Sequence, residues 1–363
     1  MKKVDRTFLI ITSIIILIGV IMFTSASLGI LNKNESKFYE VVFNQFAFGL
    51  GGGIVALYLC TKIPYQFWRK YSLYIFIFSI ILSLLVFVPK LGFSHGGAKR
   101  WISLLGFSFQ PVEFLKIGFI IYFASWLSWT KNRVKNIKFS IIPLLIMSGI
   151  ITFILLKQPD TKSIILIMVT AIVMLFVSGT PVKYLVGILT IGLIGFAVLV
   201  SFKPYLIQRV KTFVDPSHDP SGSSYQLQQS LIAIGSGGIE GRGLGQGIQK
   251  FNYLPEPQGD SIFAVIGEEL GFIGSTFLIL LFIIFTLRGF RIGYRAPNSF
   301  TKLLVIGLIT IIIAQAFMNI ASTIGVFPLT GVPLPFISHG GTSLMIYMGV
   351  VGIILQISRQ VKK

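Results

Sequence analysis

Long apolar runs, separated by short basic or Gly- and Pro-bearing connections, organise this chain. A run of about 20 apolar residues is the length that crosses a hydrocarbon layer as a helix. The pattern predicts ten such spans, near 7–28, 40–60, 71–89, 111–129, 139–156, 161–179, 183–202, 262–287, 302–324 and 338–357. In lipid the backbone N–H and C=O groups find no partner but each other, so helices are the expected form. The first run, behind MKK and followed by TSAS, has the outline of a secretory signal. Its apolar core is longer than the usual roughly 7–15 residues, and nine further runs follow, so a retained helix is expected.

Composition supports this reading. The chain is 54% hydrophobic and 12% charged, whereas soluble proteins carry about 25% charged residues. Its net charge of +19 does not point to nucleic acid, because the basic residues punctuate the apolar runs rather than cluster. With a cytoplasmic N-terminus, 18 of the 31 basic residues fall on the cytoplasmic side against one acid, Asp5, which follows the positive-inside rule. The expectation is an all-α polytopic membrane protein with ten transmembrane helices and both termini cytoplasmic. It forms a single domain over residues 1–363, with a large extracytoplasmic loop, 203–261, between helices 7 and 8. The lone Cys60 allows no intrachain disulfide, and His95, His218 and His339 lack zinc-site spacing. There is no GxxxxGK[ST] loop. The run Gly235 to Gly247 follows no Rossmann strand, so it reads as a flexible loop or as backbone that could approach a phosphate.

The chemistry-bearing residues gather on the predicted outer half. Asp260 sits where a polar loop enters the eighth span, and Glu268 and Glu269 lie inside that span. Carboxylates at or below a membrane surface mark function by default, though an N-cap role for Asp260 and pairing of the two glutamates with a buried Arg or Lys are open alternatives. Lys99 and Arg100 lie on the wrong side for the topology rule and, beside Trp101, suit a phosphate on an amphipathic ligand, with a solvated basic loop as the open alternative. Glu113 and Lys116 are i,i+3 neighbours, a local ion pair in the simplest reading. Gln315 and Asn319 share a helix face, where interhelical hydrogen bonding is the ordinary role. The segment Pro328 to Ser343, with Ser338, Gly340 and Gly341, is non-helical backbone at membrane depth, tolerated only inside protein or along a cavity. These features suggest a cavity for an anionic amphiphile, in an enzyme or in a transporter.

Several stretches resemble one family along nearly the whole chain: MFTSAS, AKRWISLLGFSFQPVEFLK, LKQPD, YQLQQSLIAIGSGGIEGRGLGQGIQKFNYLPEPQGDSIFAVIGEELGFIG, QAFMNIAS and TGVPLPFISHGGTSL. They are similar to the SEDS (RodA/FtsW) peptidoglycan glycosyltransferases, and the FVDPSHDP and YQLQQSLIAIGSGG wording resembles the FtsW-like division branch. The family's catalytic aspartate maps to Asp260. The chain departs from the usual LPEAHTDFIFAVIGEE at Gln258, Gly259 and Ser261.

The resemblance implies polymerisation of lipid II at the outer face of the bacterial cytoplasmic membrane, for cell division or cell shape. Asp260 would be the general base, and Lys99, Arg100, Arg242 and Lys250 are candidates to meet the leaving diphosphate. Gln315, Asn319, Ser338, Gly340 and Gly341 are candidate substrate-binding positions, with Glu113, Lys116, Glu268 and Glu269 in support. No metal ligands are assigned, although a divalent cation (Mg or Mn) could share the diphosphate charge. The implied partners are a class B penicillin-binding transpeptidase and other membrane proteins of the division or elongation complex. The competing reading is a lipid II flippase.

Overall fold

The computed structural model describes residues 4–89, 91–95, 98–104, 107–215 and 224–361. Nine helical stretches among these are long and apolar enough to cross a membrane. They are α1 (Arg6–Leu31), the continuous stretch Glu35–Lys62, and then α6 (Pro111–Thr130), α7 (Ile137–Lys157), α8 (Thr161–Ser178) and α9 (Val182–Phe202). After the long loop come α12 (Ile262–Tyr294), α13 (Ser299–Thr323) and α14 (Gly341–Ser358). The stretch Glu35–Lys62 comprises α2 (Glu35–Phe43) and α3 (Gly52–Lys62), joined by a wider π-helical turn at Asn44–Gly51. A short α4 (Tyr65–Lys70) precedes α5 (Ser72–Leu84), and a 3₁₀ turn extends α5 to Phe87. This shorter apolar helix, Ser72–Phe87, stands where the third span is expected.

Burial decides the layering. α13 is the hub, with 78% of its most apolar window buried, and it packs against α6, α8 and α12. α14 packs along α3, and α1 packs along α12. α9 is the opposite case, with 11% of its window buried. An apolar helix left this bare needs lipid or a partner around it, since water would leave its surface unfavourably solvated.

Two departures from an all-helical expectation bear on the site. Residues 92–109 form a small antiparallel sheet of β1 (Gly92–His95), β2 (Ala98–Leu104) and β3 (Phe107–Phe109), in the order β1-β2-β3. The pair Gly96-Gly97 between short runs was the available hairpin signal. The long loop also carries structure: α10 (Pro204–Val214), α11 (Tyr225–Gly237) and a 3₁₀ turn at Gln249–Phe251. α11 forms within the long loop. It packs against α12 rather than lying free, with Leu227, Ser230, Ala233 and Gly237 buried. Residues 216–223, and with them most of the FVDPSHDP wording, lie outside the described residues.

α12 is broken at Gly271, whose φ of 63° and ψ of −161° are non-helical. A Cβ there would lie 2.3 Å from Gly241 N, so only glycine fits. The glycine-rich loop splices into this break. Arg242 N and Gly243 N donate to the carbonyls of Glu268 and Glu269, while Phe272 N and Ile273 N donate to Gly238 O and Ile239 O. The backbone groups freed by the break are thus satisfied, as burial requires.

Candidate active site around Asp260

Turns over residues 252–261 bring Asp260 to the mouth of α12. Ser261, not Asp260, occupies the N-cap position, so the Asp260 carboxylate is not spent on capping. It faces a cavity of about 550 Å³ lined by Arg100, Lys162, Tyr205, Arg209, Gln226 and Gly331, among others. Arg100 comes from β2, Lys162 from the start of α8, Arg209 from α10 and Gln226 from α11. Five separate stretches of chain therefore converge on one acid.

The electrostatics are lopsided. Arg100 donates through Nε to Gln158 O at 3.0 Å and through Nη2 to Pro159 O. Lys162 donates to Gly331 O, and Arg209 donates through Nη1 to Thr330 O at 3.2 Å. None of the three makes a salt bridge among the described residues, whereas Lys116, Arg242, Lys250 and Arg288 all do. Backbone carbonyls orient these cations without neutralising them, which leaves a net positive cavity suited to an anion. Burial pushes the Asp260 carboxyl above the ordinary carboxylate range. The neighbouring Gln226 amide and the charges of Lys162 and Arg209 oppose that rise. Asp260 Oδ1 is buried and has no hydrogen-bond partner among the described residues.

The other expected site residues fall into three places. Lys99 is exposed on β2, and strand alternation puts it on the face opposite Arg100. It does not line the cavity.

Of the residues expected to touch substrate from the last two spans, Asn319 and Ser338 hold the Asp260 loop by its backbone. Asn319 Nδ2 donates to Asp260 O and to Val332 O, both at 2.7 Å. Ser338 Oγ donates to Gly259 O and accepts from Leu334 N, both at 2.7 Å. Gln315 Nε2 donates to Pro333 O at 3.0 Å, while its Oε1 accepts from Lys116 at 2.8 Å and Tyr347 at 2.5 Å. Lys116 also pairs with Glu113 at 2.8 Å. Gly340 N donates to Gln45 Oε1 at 3.0 Å, and Gly341 packs against the π-helical turn near Gly49. The side-chain donors of Gln315, Asn319 and Ser338 are engaged by backbone carbonyls, while Asn319 Oδ1 has no partner among the described residues.

The third place is the break in α12. Lys250 is buried and pairs with Glu269 at 2.5 Å, with Ser25 at 2.9 Å beside it. Arg242 lies 3.7 Å from Glu268. Glu268 accepts from Ile248 N at 2.8 Å and also from Gln249 N, and Glu269 accepts from Gly245 N at 3.0 Å. Within the glycine run, Gly245 N is taken by the Glu269 carboxylate, and Arg242 N and Gly243 N by main-chain carbonyls. Lys250 and Arg242 are therefore not cavity cations.

Lys162, Arg209 and Gln226 are the cavity residues that sequence reasoning missed. A signal existed for Arg209, which like Arg100 is a cation on the predicted outer side. Lys162 beside Asp160 gave too little alone. Among the described residues no group of three or more His, Cys, Asp or Glu side chains could hold a metal ion.

A family model for cell cycle proteins of the FtsW, RodA and SpoVE type matches residues 5–363. The chain belongs to the FtsW/RodA/SpoVE family. It is 38% identical to stage V sporulation protein E of Bacillus subtilis (strain 168), over 98% of this chain and 97% of that protein. It is 36% identical to a probable peptidoglycan glycosyltransferase FtsW of Geobacter sp. (strain M18), over 99% and 97%. A chain of a peptidoglycan synthase complex that coordinates polymerization and crosslinking superposes with a TM-score of 0.81 at 25% identity, covering 98% of each chain. The rod shape determining protein RodA of Thermus thermophilus shares the fold, with a TM-score of 0.73 at 23% identity over 99% and 98%. Family membership and the apolar helices together make this a multi-pass membrane protein.

Proposed function

We propose that this FtsW/RodA/SpoVE family member is a peptidoglycan glycosyltransferase that polymerises lipid II, with Asp260 as general base. The observation that carries this reading is the half-buried Asp260 carboxylate facing three cations that form no salt bridge among the described residues. The names of the relatives, probable peptidoglycan glycosyltransferase FtsW among them, support it.

In this reaction the 4-hydroxyl of the acceptor N-acetylglucosamine attacks the anomeric carbon of the donor N-acetylmuramic acid. Asp260 takes the hydroxyl proton, and the lipid diphosphate leaves with inversion. An alcohol is a weak nucleophile, and a positioned base contributes about 10²–10⁴-fold. A carboxyl raised by burial is a better proton acceptor than an ordinary one, provided it is ionised at working pH. Arg100, Lys162 and Arg209 stabilise the charge that develops on the diphosphate. Carbonyl hydrogen bonds hold all three in place beforehand, so little reorganisation is needed.

The topology that serves this chemistry has ten crossings, with Ser72–Phe87 as the third, cytoplasmic termini and the cavity open to the outer leaflet. A class B penicillin-binding transpeptidase would cross-link the product. Transport of lipid II has no comparable observation behind it, because the cavity and its charges lie at one end of α8 and α12.

The test is glycan-strand formation from purified lipid II by wild-type and Asp260→Asn protein, each with and without the transpeptidase. Polymer from wild type alone is the expected result. Equal polymer from a folded Asp260→Asn protein removes Asp260 from the mechanism.

A further inference from the structure

A second cavity, of about 520 Å³, lies far from Asp260, between α4 and the C-terminal end of α6. It opens beside Trp126, 13 residues along α6 from Glu113, or about 20 Å at 1.5 Å per residue. Its walls combine two features. Arg69 and Lys70 supply exposed cations, and Tyr65, Tyr122, Trp126 and Trp129 supply aromatic faces.

Neither cation is consumed. Among the described residues no carboxylate forms a salt bridge with Arg69 or Lys70. Asp5, the one acid on the predicted cytoplasmic side, is already bound to Arg288 at 2.8 Å. The aromatic wall is fixed. Trp126 donates through Nε1 to Phe139 O at 2.9 Å, its ring lies 5.4 Å from that of Trp129, and Tyr122 stacks on Phe76 at 5.3 Å. Trp129 nevertheless remains 61% exposed, a large apolar surface beside two uncompensated positive charges. Arg133, over the Phe139 ring at 5.6 Å, adds to the positive field.

We propose that this groove binds the headgroup of an anionic phospholipid. A guanidinium presents a fork that matches phosphate oxygens, and an ammonium adds a point charge. Tryptophan and tyrosine sit at the headgroup level of bilayers, with the ring against acyl chain or glycerol and the polar atom toward water. A soluble anion would use the cations and leave Trp129 idle. A lipid uses both. Polybasic sites at a membrane surface gain on the order of fivefold in affinity for anionic lipid per cation.

The test is native mass spectrometry of the full-length protein in detergent. It is titrated with phosphatidylglycerol, with phosphatidylcholine of the same acyl chains, and with glycerol 3-phosphate. The expected result is retention of phosphatidylglycerol over phosphatidylcholine by about tenfold, with no retention of glycerol 3-phosphate. Arg69→Ala with Lys70→Ala removes the preference between the two lipids. Trp129→Ala weakens both lipids while keeping the preference. Arg291→Ala with Arg295→Ala, at another predicted cytoplasmic connection, leaves binding unchanged. Equal retention of both lipids by wild type overturns the proposal, as does an equal loss in the Arg291/Arg295 pair. Tight glycerol 3-phosphate binding makes it a soluble-anion site and overturns the lipid assignment. All the substituted side chains except Trp129 are exposed cations, and matching melting temperatures confirm folding.

Discussion

The side-chain amide of Asn319 donates to the main-chain carbonyl of Asp260, 59 residues away in sequence, and to Val332 O, each at 2.7 Å. One side chain thus ties the base to the segment that carries the Lys162 and Arg209 acceptors, Gly331 and Thr330. Asn319→Leu keeps the volume and deletes both donors, leaving two carbonyls short of a partner. Each such loss costs about 1–3 kcal/mol. Polymerisation kinetics should show kcat down roughly tenfold to a hundredfold with KM little changed, because a misplaced base hurts the transition state more than binding.

Lys162 and Arg209 should matter through the diphosphate. Removing one preorganised donor to a developing anion costs about 10²–10³-fold in kcat. Arg209→Ala and Lys162→Ala are each expected in that range in initial-rate assays on lipid II. Arg209→Lys should recover part of the loss, since charge returns without the planar fork.

The pH profile follows from the raised Asp260 carboxyl. Activity requires the ionised form, so the rate should fall as pH drops through a value above the ordinary carboxylate range. Lys162 and Arg209 hold that value down, and Lys162→Met should move the acid limb to higher pH.

Linkage gives a matching sign for stability. The folded chain holds the Asp260 proton more tightly than the unfolded chain does. The ionised carboxylate therefore costs stability above its folded pKa, a cost absent below the unfolded value. Asp260→Asn should melt no lower than wild type near neutral pH, and thermal unfolding across pH checks this.

The Lys250–Glu269 pair is fully buried, so breaking it leaves an uncompensated charge. Lys250→Met alone should cost about 3–5 kcal/mol, and combining it with Glu269→Gln should restore part of that. The double variant separates a structural clasp from substrate binding: if Lys250 touched substrate, restored stability would not restore the rate.

Nine of the ten predicted spans were legible because lipid imposes a long apolar run on any helix that crosses it, while the third has the shorter helix Ser72–Phe87. Asp260 was legible from its position at the lip of a span and from the family wording around it. The cavity was not, because Arg100, Lys162, Arg209 and Gln226 come from stretches whose meeting no local pattern encodes. The backbone contacts of Gln315, Asn319 and Ser338 were not legible either, because a buried amide or hydroxyl serves a stray carbonyl as readily as a ligand. The break at Gly271 hid inside an apolar pattern, since what stops the helix is the incoming loop 238–243 rather than a local breaker.

That break separates two mechanical duties. Beyond Gly271, the long arm of α12 is packed against its neighbours, with Phe285 stacked on Phe8 of α1, Gly289 against Ile309 of α13 and Arg288 paired with Asp5. The short arm ahead of it, Ile262 to Leu270, is stitched to the spliced loop at one end, and the Asp260 backbone just before it is held by Asn319. One helix thus answers to two sets of neighbours: the packed bundle sets the position of its long arm, and the spliced loop with Asn319 sets the approach of the chain at Asp260.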